Sequence, residues 1–158
     1  MEKEKRTLKF SEIFGFGAGG MFTYGFQLMI TGYYLLYYMT DIAGFSTVLA
    51  ASLYSTIQII KMVTMLFSGV IIDAINFRSG KYRTWVLVSG IGLGLFFPLS
   101  FFYYPLPQSV YVVVFMIIYT LQTLFYNVGW TAMRAVIGKV AKNKADVVAL
   151  NTSAQSAG

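Results

Sequence analysis

The chain has 158 residues, 57% of them hydrophobic and only 11% charged, with a formal net charge of +6. Soluble domains carry about 25% charged residues, so this composition points to a membrane chain. There is no cysteine and no histidine, which excludes disulfides, thiol chemistry and the usual zinc sites.

The lead segment holds Lys3, Lys5, Arg6 and Lys9. An apolar block from Ile13 to Met39 follows and predicts a first transmembrane helix over about residues 13–40. It is too long for a signal-peptide core, and no Ala-x-Ala site closes it. At 100° per residue its polar positions Tyr24, Gln27, Thr31, Tyr34 and Tyr38 form one stripe. Its glycines read as contact points for close helix packing in lipid. The cluster "GFGAGG" at 15–20 has no strand before it, so it is not read as a nucleotide loop.

The loop from Asp41 to Ser46 has no Lys or Arg, and a second block, Thr47 to Ile72, predicts a helix over about 47–75. Its stripe is Tyr54, Gln58, Lys61, Thr64 and Ser68. A basic loop with Arg78, Lys81 and Arg83 leads to a third helix over about 82–104, apolar all round and carrying Pro98. The loop around Pro105-Leu-Pro-Gln108 again lacks basic residues. A fourth helix over about 108–138 carries Tyr119, Gln122, Thr123, Tyr126 and Trp130 on one face, with Asn127 at the edge. Arg134, Lys139, Lys142 and Lys144 follow, and the tail from about residue 145 reads as the start of a fifth helix. Each apolar block meets the roughly 20 residues needed to cross a hydrocarbon core.

Eleven of the twelve basic residues thus fall on one side of the predicted membrane. By the positive-inside rule the N terminus and both basic loops are cytoplasmic. The chain is expected to be a multi-pass protein of the cytoplasmic membrane, with the lipid bilayer as partner. Orientation accounts for the basic balance without a nucleic-acid partner.

Three polar stripes on three helices describe a wet cavity, because polar groups in lipid must find partners or water. Amides that read hydroxyls and rings that pack on C–H faces suit a polyhydroxylated small molecule. The competing reading is that these groups only knit the helices together. Lys61, the twelfth basic residue, lies about twelve residues from either helix end, roughly 18 Å at 1.5 Å per residue. That is too deep for its side chain to reach either interface. A charge there costs roughly 2.5–3.5 kcal/mol, so it needs a carboxylate, water or neutrality. Asp41 and Asp73 both lie near helix ends, so a carboxylate partner is expected in further helices of a longer chain.

Three stretches then point to a family. "YLLYYMTDIAGFS" at 34–46 resembles the end of helix one in the glycoside–pentoside–hexuronide:cation symporters, the melibiose-carrier family of the major facilitator superfamily. "GVIIDAINFRSGKYRTW" at 69–85 resembles that family's loop between helices two and three, with Thr84 in place of a proline. "NVGWTAM" at 127–133 resembles its helix-four motif. The resemblance implies an all-α membrane bundle of two six-helix halves, of which this chain would supply helices 1–4 and the start of helix 5.

On the three stripes, the substrate cavity would take Tyr24, Gln27, Thr31, Tyr34, Gln58, Lys61, Gln122, Tyr126, Asn127 and Trp130. The resemblance also implies residue roles. The cytoplasmic gate would be Asp73, Arg78, Gly80, Lys81 and Arg83. The family's two cation-binding acids of helix two fall on Lys61 and Met65, so both carboxylates are replaced. Asp73 comes twelve residues too late to substitute for them. The family's helix-one acid falls on Gly20, and its helix-five arginine falls near Ala154.

The expected function is symporter-like secondary transport of a sugar or glycoside, with sodium or proton coupling left open and no cofactor or metal site. The alternatives are a degenerate, non-transporting membrane sensor and a carrier of an amphiphilic, lipid-like substrate. No nucleophile–base pair is present, so no catalytic residue is assigned and an enzyme is not expected. Single cysteines placed at Lys5 and at Gln108 should be labelled by an impermeant maleimide from opposite faces of the membrane. Labelling of both from one face would overturn the topology.

Overall fold

The computed structural model describes residues 8–20, 25–75, 77 and 80–155. All its regular structure is helical, and no strand occurs among the described residues. The elements are α1 (Phe10–Gly20), α2 (Phe26–Met29), α3 (Leu35–Tyr37), α4 (Thr47–Ala74), α5 (Lys81–Ser100), α6 (Gln108–Val140) and α7 (Lys144–Gln155). Helices α4, α5 and α6 are long and apolar enough to cross a membrane. Together with the family relationship set out below, this makes the chain part of an all-α, multi-pass membrane bundle.

The first apolar block is not one regular helix. Wide π turns at Ile30–Tyr34 and Tyr38–Ile42 flank α3. The Leu35 N–H donates to the Ile30 carbonyl, and the Ala43 N–H donates to the Tyr38 carbonyl at 2.8 Å, each five residues back. Wide turns stretch the repeat beyond 3.6 residues. The buried positions accordingly run Gln27, Thr31, Leu35 and Met39, a step of four, with Tyr38 beside them. Tyr34, expected on the polar stripe, is left 40% exposed at its edge.

Helix α4 begins where the Ser46 hydroxyl accepts the Leu49 N–H at 3.3 Å, an N-cap that satisfies an otherwise orphaned amide. Helix α5 stops at Ser100, four residues short of its apolar block. Pro98 removes a donor from the last turns, and the Phe101 N–H falls back on the Pro98 carbonyl at 3.1 Å. At 33 residues, α6 is about 50 Å long, well beyond a hydrocarbon core of about 30 Å.

Helix α6 is the hub, packed against both α5 and α4, while α1 packs against α7. The α5–α6 approach depends on two glycines. A Cβ on Gly92 would lie 2.4 Å from Cγ of Phe125, and one on Gly129 would lie 2.7 Å from the Ser89 Cβ. The neighbouring Gly90 and Gly94 meet nothing within 4 Å. Near the 41–46 loop the core is aromatic: the Tyr38 and Tyr111 hydroxyls share a 2.7 Å hydrogen bond, and Tyr38 also donates to the Phe102 carbonyl at 3.0 Å. Near the basic 75–80 loop, Ile72, Trp85, Val128 and Ala132 form a second core.

Two buried atoms, Trp85 Nε1 and Ser89 Oγ, have no hydrogen-bond partner among the described residues. Gly92→Val should therefore lower stability by about 1–3 kcal/mol through overpacking, whereas Gly94→Val should be near neutral. Thermal unfolding of the two variants in detergent checks the difference, and equal losses would contradict the packing.

Candidate functional site

The central polar groups come from α2, the π turn after it, α4, α5 and α6. Asn127 on α6 is buried and directs its amide into α4. Nδ2 donates to the Thr64 hydroxyl at 2.7 Å and to the Lys61 carbonyl at 3.0 Å. Thr64 donates in turn to the Ile60 carbonyl at 2.8 Å. One turn toward the basic end, Ser68 and Thr131 share a 2.8 Å hydrogen bond between the same two helices. These contacts hold the α4 backbone against α6 at the level of Lys61.

Lys61 itself is partly buried, and its Nζ lies 5.9 Å from the centroid of the Tyr126 ring. An ammonium over a ring face is attracted by the ring quadrupole. Thirteen residues separate Lys61 from Ala74 at the helix end, about 20 Å at 1.5 Å per residue.

The four described acids are all elsewhere. The Glu12 carboxylate accepts the Lys9 N–H at 2.9 Å. Asp41 bonds the Thr40 hydroxyl at 2.5 Å, and Asp73 pairs with Lys81. Asp146, fully buried, accepts the Leu8 N–H at 3.4 Å and the Lys142 N–H at 3.3 Å. Sequence reasoning missed Asp146. The available signal was Asn143 three residues before it, whose side-chain oxygen accepts the Asp146 N–H at 2.8 Å as an N-cap.

A second polar chain lies nearer the 41–46 loop. Gln122 has no exposed surface; its Oε1 accepts from the Ser100 hydroxyl at 2.6 Å, and its Nε2 reaches Gln27 Oε1 at 3.4 Å. Thr31 donates to the Gln27 carbonyl at 2.7 Å. Helix α5 showed no polar stripe in sequence, yet its Ser100 is the firmest partner of Gln122. A single serine leaves no periodic signal.

Of the expected cavity residues, Gln27, Thr31, Gln122, Tyr126, Asn127 and Trp130 are buried, and Lys61 is partly so. Gln58 and Tyr34 are exposed in this chain. Met65, at the second coupling-site position, is 60% exposed. Tyr24 and Arg78 lie outside the described residues.

At the basic end, Lys81 Nζ bonds Asp73 Oδ1 at 2.6 Å across the turn between α4 and α5. Gly80, with φ +102°, precedes Lys81 in a conformation that disfavours a Cβ. The guanidinium of Arg134 stacks 4.7 Å from the Trp130 ring, and Lys139 Nζ lies 4.9 Å from the Tyr82 ring. Arg83 is exposed.

A family model described as "MFS/sugar transport protein" matches residues 15–157. The "Putative glycoside/cation symporter YagG" of Escherichia coli (strain K12) is 29% identical over 126 residues, covering 78% of this chain and 27% of that protein. The "Inner membrane symporter YicJ" of the same organism is 26% identical over 107 residues, 66% of this chain and 23% of that protein. The "Glucuronide carrier protein homolog", also from that organism, is 28% identical over 94 residues, 60% of this chain and 20% of that protein. The chain thus spans about a quarter of the length of these relatives. No solved structure matches significantly.

If Asn127 clamps α4 to α6, Asn127→Ala and Thr64→Val should be coupled by about 0.6–2 kcal/mol. A double-mutant cycle on thermal unfolding measures this, and additive effects would deny the clamp.

Proposed function

The chain belongs to the MFS/sugar transport protein family, and on that premise we propose that it forms part of a secondary carrier for a sugar or glycoside. In this reading the basic end faces the cytoplasm, and Asp73, Arg78, Gly80, Lys81 and Arg83 form the gate at that end. The 2.6 Å Asp73–Lys81 pair supports the gate, because a pair in which Asp73 stays 74% exposed is held weakly enough to open and close. In this reading the amides of Gln27 and Gln122 read sugar hydroxyls and Tyr126 and Trp130 supply ring faces, while Asn127, also in the cavity, holds α4 in place through its amide N–H groups.

The observation that carries the proposal furthest is Lys61 beside Tyr126 in the middle of α4. By the resemblance, a cation-binding carboxylate belongs there and a second one at Met65. Here the first position holds an ammonium and the second an apolar side chain. All four described acids are engaged away from Lys61. Sodium needs hard oxygen ligands. A fixed ammonium at 4–5 Å would oppose it by about 4 kcal/mol at an effective dielectric constant of about 20. Lys61 therefore acts as a tethered positive charge in place of an exchangeable cation, and uptake is independent of sodium.

The test is uptake by the full-length carrier in proteoliposomes, with external sodium, lithium or potassium. Equal rates in all three are expected. Strictly sodium-driven uptake by the wild type would overturn the tethered-charge reading.

A further inference from the structure

Residues 33–38 read Tyr-Tyr-Leu-Leu-Tyr-Tyr, three doublets in a row. A helix that slips by one residue through this run puts like in place of like at every second position: Tyr33 for Tyr34, Leu35 for Leu36, Tyr37 for Tyr38. The two π turns bracket the run's centre, one at Ile30–Tyr34 before α3 and one at Tyr38–Ile42 after it. Each closes over one residue more than an α turn. Relaxing the first therefore turns α3 by about 100°, one residue's step. Each wide turn also holds a threonine whose hydroxyl donates four residues back: Thr31 to the Gln27 carbonyl at 2.7 Å, Thr40 to the Leu36 carbonyl at 3.1 Å. Such bonds compete with the regular backbone ladder and bend helices, which suits both turns to a change of width.

The resident register is latched at Tyr38. Its hydroxyl shares a 2.7 Å bond with the Tyr111 hydroxyl and donates at 3.0 Å to the Phe102 carbonyl, and its ring centroid lies 5.2 Å from that of Phe101. Leu35 and Met39 are fully buried, whereas Tyr34 and Tyr37 are exposed.

We propose that α3 is a one-residue register switch: relaxation of the turn before it brings Tyr37 to the place of Tyr38 against Tyr111, and Tyr34 and Tyr38 to the places of Leu35 and Met39. The slipped register is the one an unbroken 100° step gives, with both tyrosines in line with Gln27 and Thr31. The doublets keep its cost low, because the tyrosine contact with α6 is remade and Leu35 lands where Leu36 lay. What changes is the interior wall, where a leucine and a methionine give way to two phenols. Gly44, at φ +70° and with open space around it, follows the second turn and can take up the rotation. The switch is a property of this helix and stands apart from what the bundle carries.

The experiment uses the full-length carrier in proteoliposomes, with any native cysteine replaced. Phe101→Cys is paired with Tyr38→Cys or with Tyr37→Cys, and each pair is treated with a short bifunctional thiol reagent. Both pairs should bridge, the second through the slipped register. Tyr38→Phe removes the latch hydroxyl and keeps the ring, so it should speed bridging from position 37 roughly three- to tenfold, the worth of one hydrogen bond. No bridging from position 37, or a rate that Tyr38→Phe leaves unchanged, would overturn the switch.

A second measurement needs no cysteine and decides the matter where the pairs fail to fold. Tyr37→Phe should leave thermal unfolding of the wild type unchanged and lower it in the Tyr38→Phe background, where Tyr37 supplies the bond to Tyr111. Equal effects in the two backgrounds would refute the slip.

Discussion

Inside a bilayer a polar side chain has no water to fall back on, so each one must be matched by another part of the protein. The Asn127 amide meets that constraint by bonding the Thr64 hydroxyl and the Lys61 carbonyl. The rest of the central arrangement depends on this contact. It sets the rotation of α4 about its own axis, which turns Lys61 toward Tyr126 and leaves Met65, one turn on, 60% exposed. Ser68 and Thr131 repeat the contact toward the basic end, so α4 and α6 are tied at two levels.

Helix α6 can serve as the hub because its two packing faces work differently. Toward α4 it uses hydrogen bonds. Toward α5 it uses close approach, with Gly92 beneath the Phe125 ring and Gly129 against Ser89. Apolar attraction between helices is weak in lipid, so intimate contact and polar pairing carry association. The closeness has a cost: Ser89 Oγ and Trp85 Nε1, one turn apart on α5, are enclosed without partners among the described residues.

Charge follows the same logic of depth. The pairing of Asp73 with Lys81 and the stacking of Arg134 on Trp130 occur at the basic end, where water and headgroups cover exposed charge cheaply. Asp146 is the exception there: it is fully buried and satisfied by backbone amides of the lead segment and of the α6–α7 turn. It ties the segment before α1 to the turn that leads into α7. Lys61 has no carboxylate at its own depth among the described residues, and only the Tyr126 ring faces its ammonium at 5.9 Å.

Much of this was open to reading from residue order alone. Spans, their apolar character and the side on which basic residues gather depend on local composition, and the bilayer imposes them residue by residue. The depth of Lys61 followed from counting along one helix, and the family from short motifs that survive in "YLLYYMTDIAGFS" and "GVIIDAINFRSGKYRTW". What the sequence could not determine is which faces meet. A uniform 100° step put Tyr34 on the first stripe, but two π turns shifted the register so that Leu35 and Met39 are buried beside Gln27 and Thr31. Ser100, at the end of a helix with no polar stripe, became the partner of Gln122. Gly92 and Gly129 bear the α5–α6 contact while Gly90 and Gly94 touch nothing. Periodicity is a property of one helix, whereas a hydrogen-bond partner or a close approach belongs to two, and only the packed bundle decides the second.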